Sequence, residues 1–331
     1  MRLRPIALIA AMMLPASLAG AQSWHYGSTA GANTGIDADL NGAVPFPANN
    51  AWNTDISQAQ VDPKSDAIIA SIGADIGLHP DFGSGTYAHA IIGIPYVVVG
   101  KNQMPVQIRI TTFKNQSDPG PFAVPQDAPV EGYKPNGNKF GGDRHVLVID
   151  KHNDRLYEMW RAFLQSDGSW KCRSAALFQL NSNDVRPTAK PGWTSADAAG
   201  LPIFPGLIRY DEVAAGEIPH ALRFTVSHSR EAYVLPANHW ASDNTSSDLP
   251  PMGMRVRLKA SYRIPSAFSA QTKTILRALK TYGMMVADNG SDWYLSGAPD
   301  PRWKNGRLVS ELRQVTGSDF EVVKMGKIVT P

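Results

Sequence analysis

Apolar residues in this chain come in short runs, each cut off by turn formers. They are Pro95 to Val99, Val106 to Phe113, His145 to Ile149, Leu156 to Phe163, Ala175 to Leu180, Ala221 to Val226, Ala232 to Leu235, Met254 to Ala260, Met284 to Ala287 and Trp293 to Leu295. Runs this short, many of them rich in Val, Ile, Tyr or Phe, suit strands rather than helices, which take about ten residues or more. The 28 glycines and 25 prolines of the chain supply the breaks between them. Helical spacing is confined to a few places. Ile275, Leu276, Leu279 and Tyr282 share one face of Ser269 to Tyr282, and Leu308, Leu312 and Val315 share one side of Gly306 to Val315. Shorter helices are predicted at Asp62 to Ile72 and Asp211 to Glu217. The expected fold is mostly β: a two-sheet sandwich or jelly-roll-like domain with a few peripheral α-helices.

The chain opens with Arg2 and Arg4, an apolar run from Ile6 to Leu14, and the small residues Ala19-Gly20-Ala21. These are the three parts of a cleavable signal peptide, and the run is well short of the roughly 20 residues of a spanning helix. Residues 1–21 are therefore predicted to be removed on export, residues 22–45 to form a flexible arm, and residues 46–331 to fold as a single domain. The product is expected to be secreted or periplasmic, monomeric, and without a stable membrane anchor. Of the 32 basic residues, 30 remain once Arg2 and Arg4 are gone, against 29 acidic ones. Near-neutral charge removes the basic excess typical of nucleic-acid binders. With one cysteine, Cys172, no internal disulfide can form, so stability must come from a core. Cys172 itself reads as a small buried side chain.

Candidate chemistry concentrates in the stretch from Gly141 to Arg161. It reads as a hairpin turning at His152-Asn153, in which Asp150 pairs with Arg155, an opposite-charge match. Strand alternation then puts Val146, Val148, Tyr157 and Met159 on one face, which suits a core, and Asp143, His145, Glu158 and Trp160 on the other. An acid, a base and an aromatic platform on one face suit carbohydrate chemistry. Glycosidic cleavage needs a proton donor and a second carboxylate, and a ring beside an acid raises its pKa by desolvation. The long Pro- and Gly-rich segments 114–143 and 181–206 are loops of the length that often carries function. The second supplies Asp197, after Trp193 and Ser195, though Ser195 or Asp197 can equally cap a turn. Asn289-Gly290 is a strong hairpin signal, predicted to set Asp288 opposite Ser291 and Val286 opposite Trp293, with Asp292 and Tyr294 sharing the other side.

These residues predict a polysaccharide-active glycoside hydrolase needing no cofactor. Glu158 and Asp197 form the carboxylate pair, with His145 beside them. Trp160, Trp193, Trp293, Asp143, Arg161, Asp288 and Asp292 contact substrate. Three alternatives remain open. A lyase would use Tyr157 or His145 as base with Arg161, and a non-catalytic carbohydrate-binding or envelope protein would keep only the tryptophans. A metal-dependent hydrolase would draw ligands from His79, Asp81, Asp143, His145, His220, His228 and His239, although no His-Glu-x-x-His motif is present. Nucleophile elbows and dinucleotide fingerprints are also missing. Mass spectrometry of the exported protein is expected to find its N-terminus at Gln22 or within a few residues of it, and an exported product retaining Met1 would refute the signal assignment.

Overall fold

The computed structural model describes residues 22–132, 142–184, 186 and 190–331; the proposed signal, residues 1–21, lies outside them. Six sheets and four helices make a mixed α/β fold among the described residues, not the two-sheet sandwich or jelly roll that the short runs suggested. Two sheets dominate. Their eleven strands, numbered in chain order, are β1 (Gly35–Ile36), β2 (His79–Asp81), β3 (Tyr96–Val99), β4 (Val146–Asp150), β5 (Arg155–Trp160), β6 (Ser174–Gln179), β7 (Leu222–Val226), β8 (Arg255–Leu258), β9 (Met284–Asn289), β10 (Tyr294–Ser296) and β11 (Phe320–Val322). The first sheet runs β6-β5-β4-β3-β1 and the second β11-β8-β9-β7-β10-β2. Both are mixed: β3 with β4, β7 with β9 and β10 with β2 pair parallel, and the other neighbours antiparallel.

Burial explains why a sandwich does not form. In a sandwich each sheet hides one face, so its strands alternate apolar with polar. Here Val97-Val98-Val99, Val146 to Ile149 and Met284 to Ala287 are buried at every position. Such uninterrupted runs belong to sheets covered on both faces. The first sheet sends Tyr96, Val98, Leu147, Ile149, Leu156 and Phe178 into a large core shared with the second sheet and the helices. Its other face, with Val97, Val99, Val146, Val148, Tyr157 and Met159, packs under the 122–128 segment as a second core.

The helices fall where their spacing places them: α1 (Ser65–Ile72), α2 (Tyr210–Ala215), α3 (Ala270–Thr281) and α4 (Asn305–Leu312). At the start of α3 the Ser269 side chain accepts from the Thr272 amide, an N-cap that stops the backbone N–H from going unpaired. Ile275, Leu276 and Leu279 on α3 and Leu308 and Leu312 on α4 enter the main core, so these helices complete it and do more than decorate the rim.

Residues 22–45, expected as a flexible arm, are packed. Gly35–Ile36 is the edge strand β1, His25–Tyr26 pairs with Ala43–Val44, and Leu40 and Ala43 lie in the main core. Asn289-Gly290 does not close a hairpin, because β7 sits between β9 and β10 in the sheet. The Gly290 amide donates to Val226 and the Asn289 side chain to Ala241, so a non-local partner takes the place of the adjacent strand.

Trp293 is likewise not on a surface. It is fully buried, its ring stacked between Phe224 at 5.5 Å and Phe320 at 5.3 Å, with its indole N–H donating to the Gly73 carbonyl. Trp293→Ala is expected to cost about 3–5 kcal/mol of folding stability, the usual loss for emptying a large core site. Denaturant unfolding checks this, and an unchanged midpoint would show that the ring is not a core element.

Candidate functional site

The β4–β5 hairpin has the register read from sequence: Asp150 opposite Arg155, Ile149 opposite Leu156 and Leu147 opposite Glu158. The cause differs from the one expected. The Asp150 carboxylate accepts from the amides of His152 and Asn153 and from the Asn153 side chain, at 3.1, 3.1 and 2.7 Å, so it builds the turn that sets the register. That register puts Glu158 on the main-core face with Leu147, Ile149 and Leu156. The face is no open cleft floor.

Glu158 is completely buried. Both carboxylate oxygens accept from the Ile203 amide at 2.9 Å, and Oε1 also accepts from Phe204 at 2.9 Å, at the start of a short 3-10 turn, Phe204–Gly206. Burial pushes its pKa up to about 7, with the two amides opposing and the charge of Asp197 assisting. Asp197 is also buried and receives the Arg223 guanidinium, Nη2 at 2.8 Å and Nε at 3.3 Å. Arg223 comes from near the start of β7 and donates on to the Ser296 hydroxyl at the end of β10. The Ser195 hydroxyl accepts from the Asp197 amide at 2.9 Å and donates to the Leu201 carbonyl at 2.6 Å, so the turn-capping role falls to Ser195.

His145 lies just before β4. Its Nδ1 is 2.5 Å from Glu131 Oε2 and its Nε2 is 3.1 Å from the Ala196 carbonyl. An imidazole with an acceptor at each nitrogen is held as the doubly protonated cation. Burial alone would lower its pKa, but the Glu131 carboxylate outweighs burial and raises it to about 9. The same contact outweighs burial at Glu131 and keeps that carboxyl below its ordinary range. Glu131, in the first long loop, keeps about a fifth of its side chain in contact with solvent.

Two further carboxylates close the cluster from the ends of the second sheet. Asp288, half-buried near the end of β9, is pushed up to about 7 by burial and by the charge of Asp197, against the pull of Arg223 and His145. Asp81, exposed at the end of β2, is raised by partial burial and by Glu131. Five carboxylates thus gather around two cations, His145 and Arg223. The structure brings His145, Glu158, Asp197 and Asp288 together as candidates, joins to them Asp81, which the sequence offered only as a metal ligand, and adds Glu131 and Arg223, which sequence reasoning missed. Arg223 had a visible signal, a charge inside the apolar run Ala221 to Val226. Glu131 had none beyond its loop.

The other expected residues scatter. Trp160 is half-buried, and its indole N–H donates to the carboxylate of exposed Asp143 at 3.2 Å. Trp193 stands between Lys190 at 4.4 Å and Arg186 at 5.1 Å. Asp292 accepts from the amide and hydroxyl of Ser227, a turn role. Arg161 lines a separate cavity. His220 is buried against Glu212 and the Ala221 carbonyl. Among the described residues no group of His, Cys, Asp and Glu is placed to hold a metal ion, and no helix is long and apolar enough to cross a membrane. No family model, curated protein or solved structure matches the chain.

The His145–Glu131 pair has a pH signature. A histidine whose folded pKa stands near 9 stabilises the fold fully below its ordinary 6.5, and that contribution is lost as pH rises through 9. Glu158 and Asp288, raised to about 7, favour the fold at low pH and have lost that contribution once pH has risen through about 7, which leaves the interval from about 7 to 9 to His145. An NMR titration is expected to find His145 protonated at pH 7.5, and His145→Gln to flatten the fall in stability across that interval. A neutral ring at pH 7.5 would contradict the assignment.

Proposed function

We propose that this chain is an exported hydrolase of glycosidic bonds, working by acid/base catalysis with Asp288 as proton donor and Glu131 as the ionised carboxylate. What carries the reading is the opposite polarisation of two carboxyls at one cluster. Asp288 holds its proton up to about pH 7, while Glu131, clamped by charged His145, stays ionised. Carboxyl groups pushed apart in this way are the usual mark of an acid and its partner. Asp288 would protonate the leaving oxygen. Glu131 would either take a proton from the attacking water or attack the sugar itself, according to the spacing of the pair.

The roles first expected of Glu158 and Asp197 move to positioning. Glu158 spends its oxygens on the Ile203 and Phe204 amides, and Asp197 is spent on Arg223, so neither reaches a substrate. Their charges still matter, because Asp197 helps to hold the proton on Asp288. Trp160 and Trp193 remain as half-buried rings able to pack on a sugar, and Trp293 is removed from that set by its place in the core. Elimination is disfavoured because both nitrogens of His145 are engaged and Tyr157 is buried on the opposite face of the sheet against Phe122.

The test is a screen of the purified protein on a panel of polysaccharides, scoring new reducing ends and, separately, unsaturated products by ultraviolet absorbance. Asp288→Asn and Glu131→Gln are each expected to lower hydrolysis at least about a hundredfold, the loss typical of removing a general acid or base. Because Asp288 must be protonated to act, wild-type turnover is expected to fall as pH rises through about 7. Wild-type rates in both variants would refute these roles, and unsaturated products would replace hydrolysis with elimination.

A further inference from the structure

A cavity of about 1070 Å³ opens on the other side of the first sheet from the carboxylate cluster. Among the described residues its wall carries four cationic side chains, Arg144, Arg161, Lys171 and Arg173, against one carboxylate, Asp127. The whole chain carries a net charge of only +3, so this is a strong local excess. Among the described residues no ion pair engages Arg161, Lys171 or Arg173. Arg161 donates to the Gly142 carbonyl at 3.0 Å, and Arg173 lies over the Trp160 ring at 5.4 Å. Arg144 is held by its Nε on the Ala162 carbonyl and by the Phe163 ring 4.3 Å away. Phe163, Leu164 and Val130 give the cavity apolar surface between the charges.

The backbone is strained where it delivers two of these cations. Arg144 and Arg161 sit side by side at the open end of the β4–β5 hairpin with φ of 55° and 54°, a region that arginine seldom occupies. Strain of this kind gathers at ligand sites, where the side chain must be aimed against local preference. Arginine guanidinium groups favour planar carboxylates and phosphates, which they bind through paired hydrogen bonds. The volume slightly exceeds that of pockets holding one drug-sized ligand.

We propose that this cavity is a binding site for an oligomeric polycarboxylate, a short acidic oligosaccharide whose carboxylates meet the arginines and Lys171 while its ring faces pack on Phe163 and Leu164. The site is separate from the acid cluster and does not depend on the hydrolytic reading. Val130 and Arg144 line the cavity, whereas their neighbours Glu131 and His145 join each other outside its lining, so two adjacent chain segments form the wall between the sites.

Titration calorimetry with trigalacturonate tests the proposal, using the Asp288→Asn protein so that binding is read without turnover. Saturable binding is expected, weakening at least tenfold in Arg161→Asn, which tolerates the left-handed backbone, and in Lys171→Gln at an exposed position. Maltotriose, neutral and of the same length, is expected to bind at least tenfold more weakly than trigalacturonate. Inorganic phosphate at equal concentration is expected not to displace the trisaccharide. Unfolding midpoints matching the parent protein would show that the variants fold. Equal affinity for the neutral sugar, displacement by phosphate, unchanged affinity in both folded variants, or no binding at all would each overturn the proposal. Wild-type rates of hydrolysis in Asp288→Asn and Glu131→Gln, with intact trigalacturonate binding, would count against the catalytic roles alone.

Discussion

The buried ion pair between Asp197 and Arg223 is the contact on which the arrangement of the molecule turns. Arg223 rises from the centre of the second sheet with nearly all of its surface hidden, and Asp197 comes from the loop that leads to Glu158's amide partners. Breaking such a pair by removing one side strands the other charge in a low-dielectric interior, at a cost of about 3–5 kcal/mol. Joining two well-packed sheets needs no charge at all, and replacing a buried pair by apolar residues is often neutral or stabilising. The pair therefore makes more sense as a source of electric field. It sets one negative charge beside Glu158 and Asp288 and one positive charge within reach of Glu131, and so adds to the larger effects of burial and of His145 on which carboxyls keep their protons.

Legibility of the fold followed the range of the interactions involved. The hairpin register, and with it the shared face of His145 and Glu158, came from a period of two residues and a local turn, and the helices came from spacing within one segment. Each of these is encoded over a dozen residues or fewer. What was misread is non-local. Asn289-Gly290 has the chemistry of a tight turn, yet the neighbouring strand position is taken by β7, more than fifty residues earlier in the chain. Parallel pairing leaves no mark at the turn, only the unbroken apolar runs that signal a sheet covered twice. Those runs are present in Val97-Val98-Val99 and Met284 to Ala287, where the run length marks a strand but only the tertiary fold shows both faces covered.

The site was legible in half. His145, Glu158, Asp197 and Asp288 could be named because acids and a histidine stood out against short apolar segments or turn residues. Their division of labour could not be named, since it depends on who pairs with whom across distances of tens to more than a hundred residues. Glu131 lies in a loop without periodicity, and its partner His145 is 14 residues away. The tryptophans show the same limit, because Trp293 and Trp160 look alike in sequence and differ only in what the tertiary fold stacks upon them.

The partition formed by 130–131 and 144–145 has a thermodynamic consequence. The Glu131 amide donates to the His145 carbonyl and its carboxylate meets the His145 ring, so the two segments are tied together, with a cation-lined chamber on one side and a protonated imidazole on the other. Any occupant of the chamber that shifts this piece alters the proton affinity of His145, and linkage requires the reverse effect to be equal in size. Uptake or release of a proton would then accompany occupancy, so that the partition couples the acidity on one side of the sheet to the contents of the other.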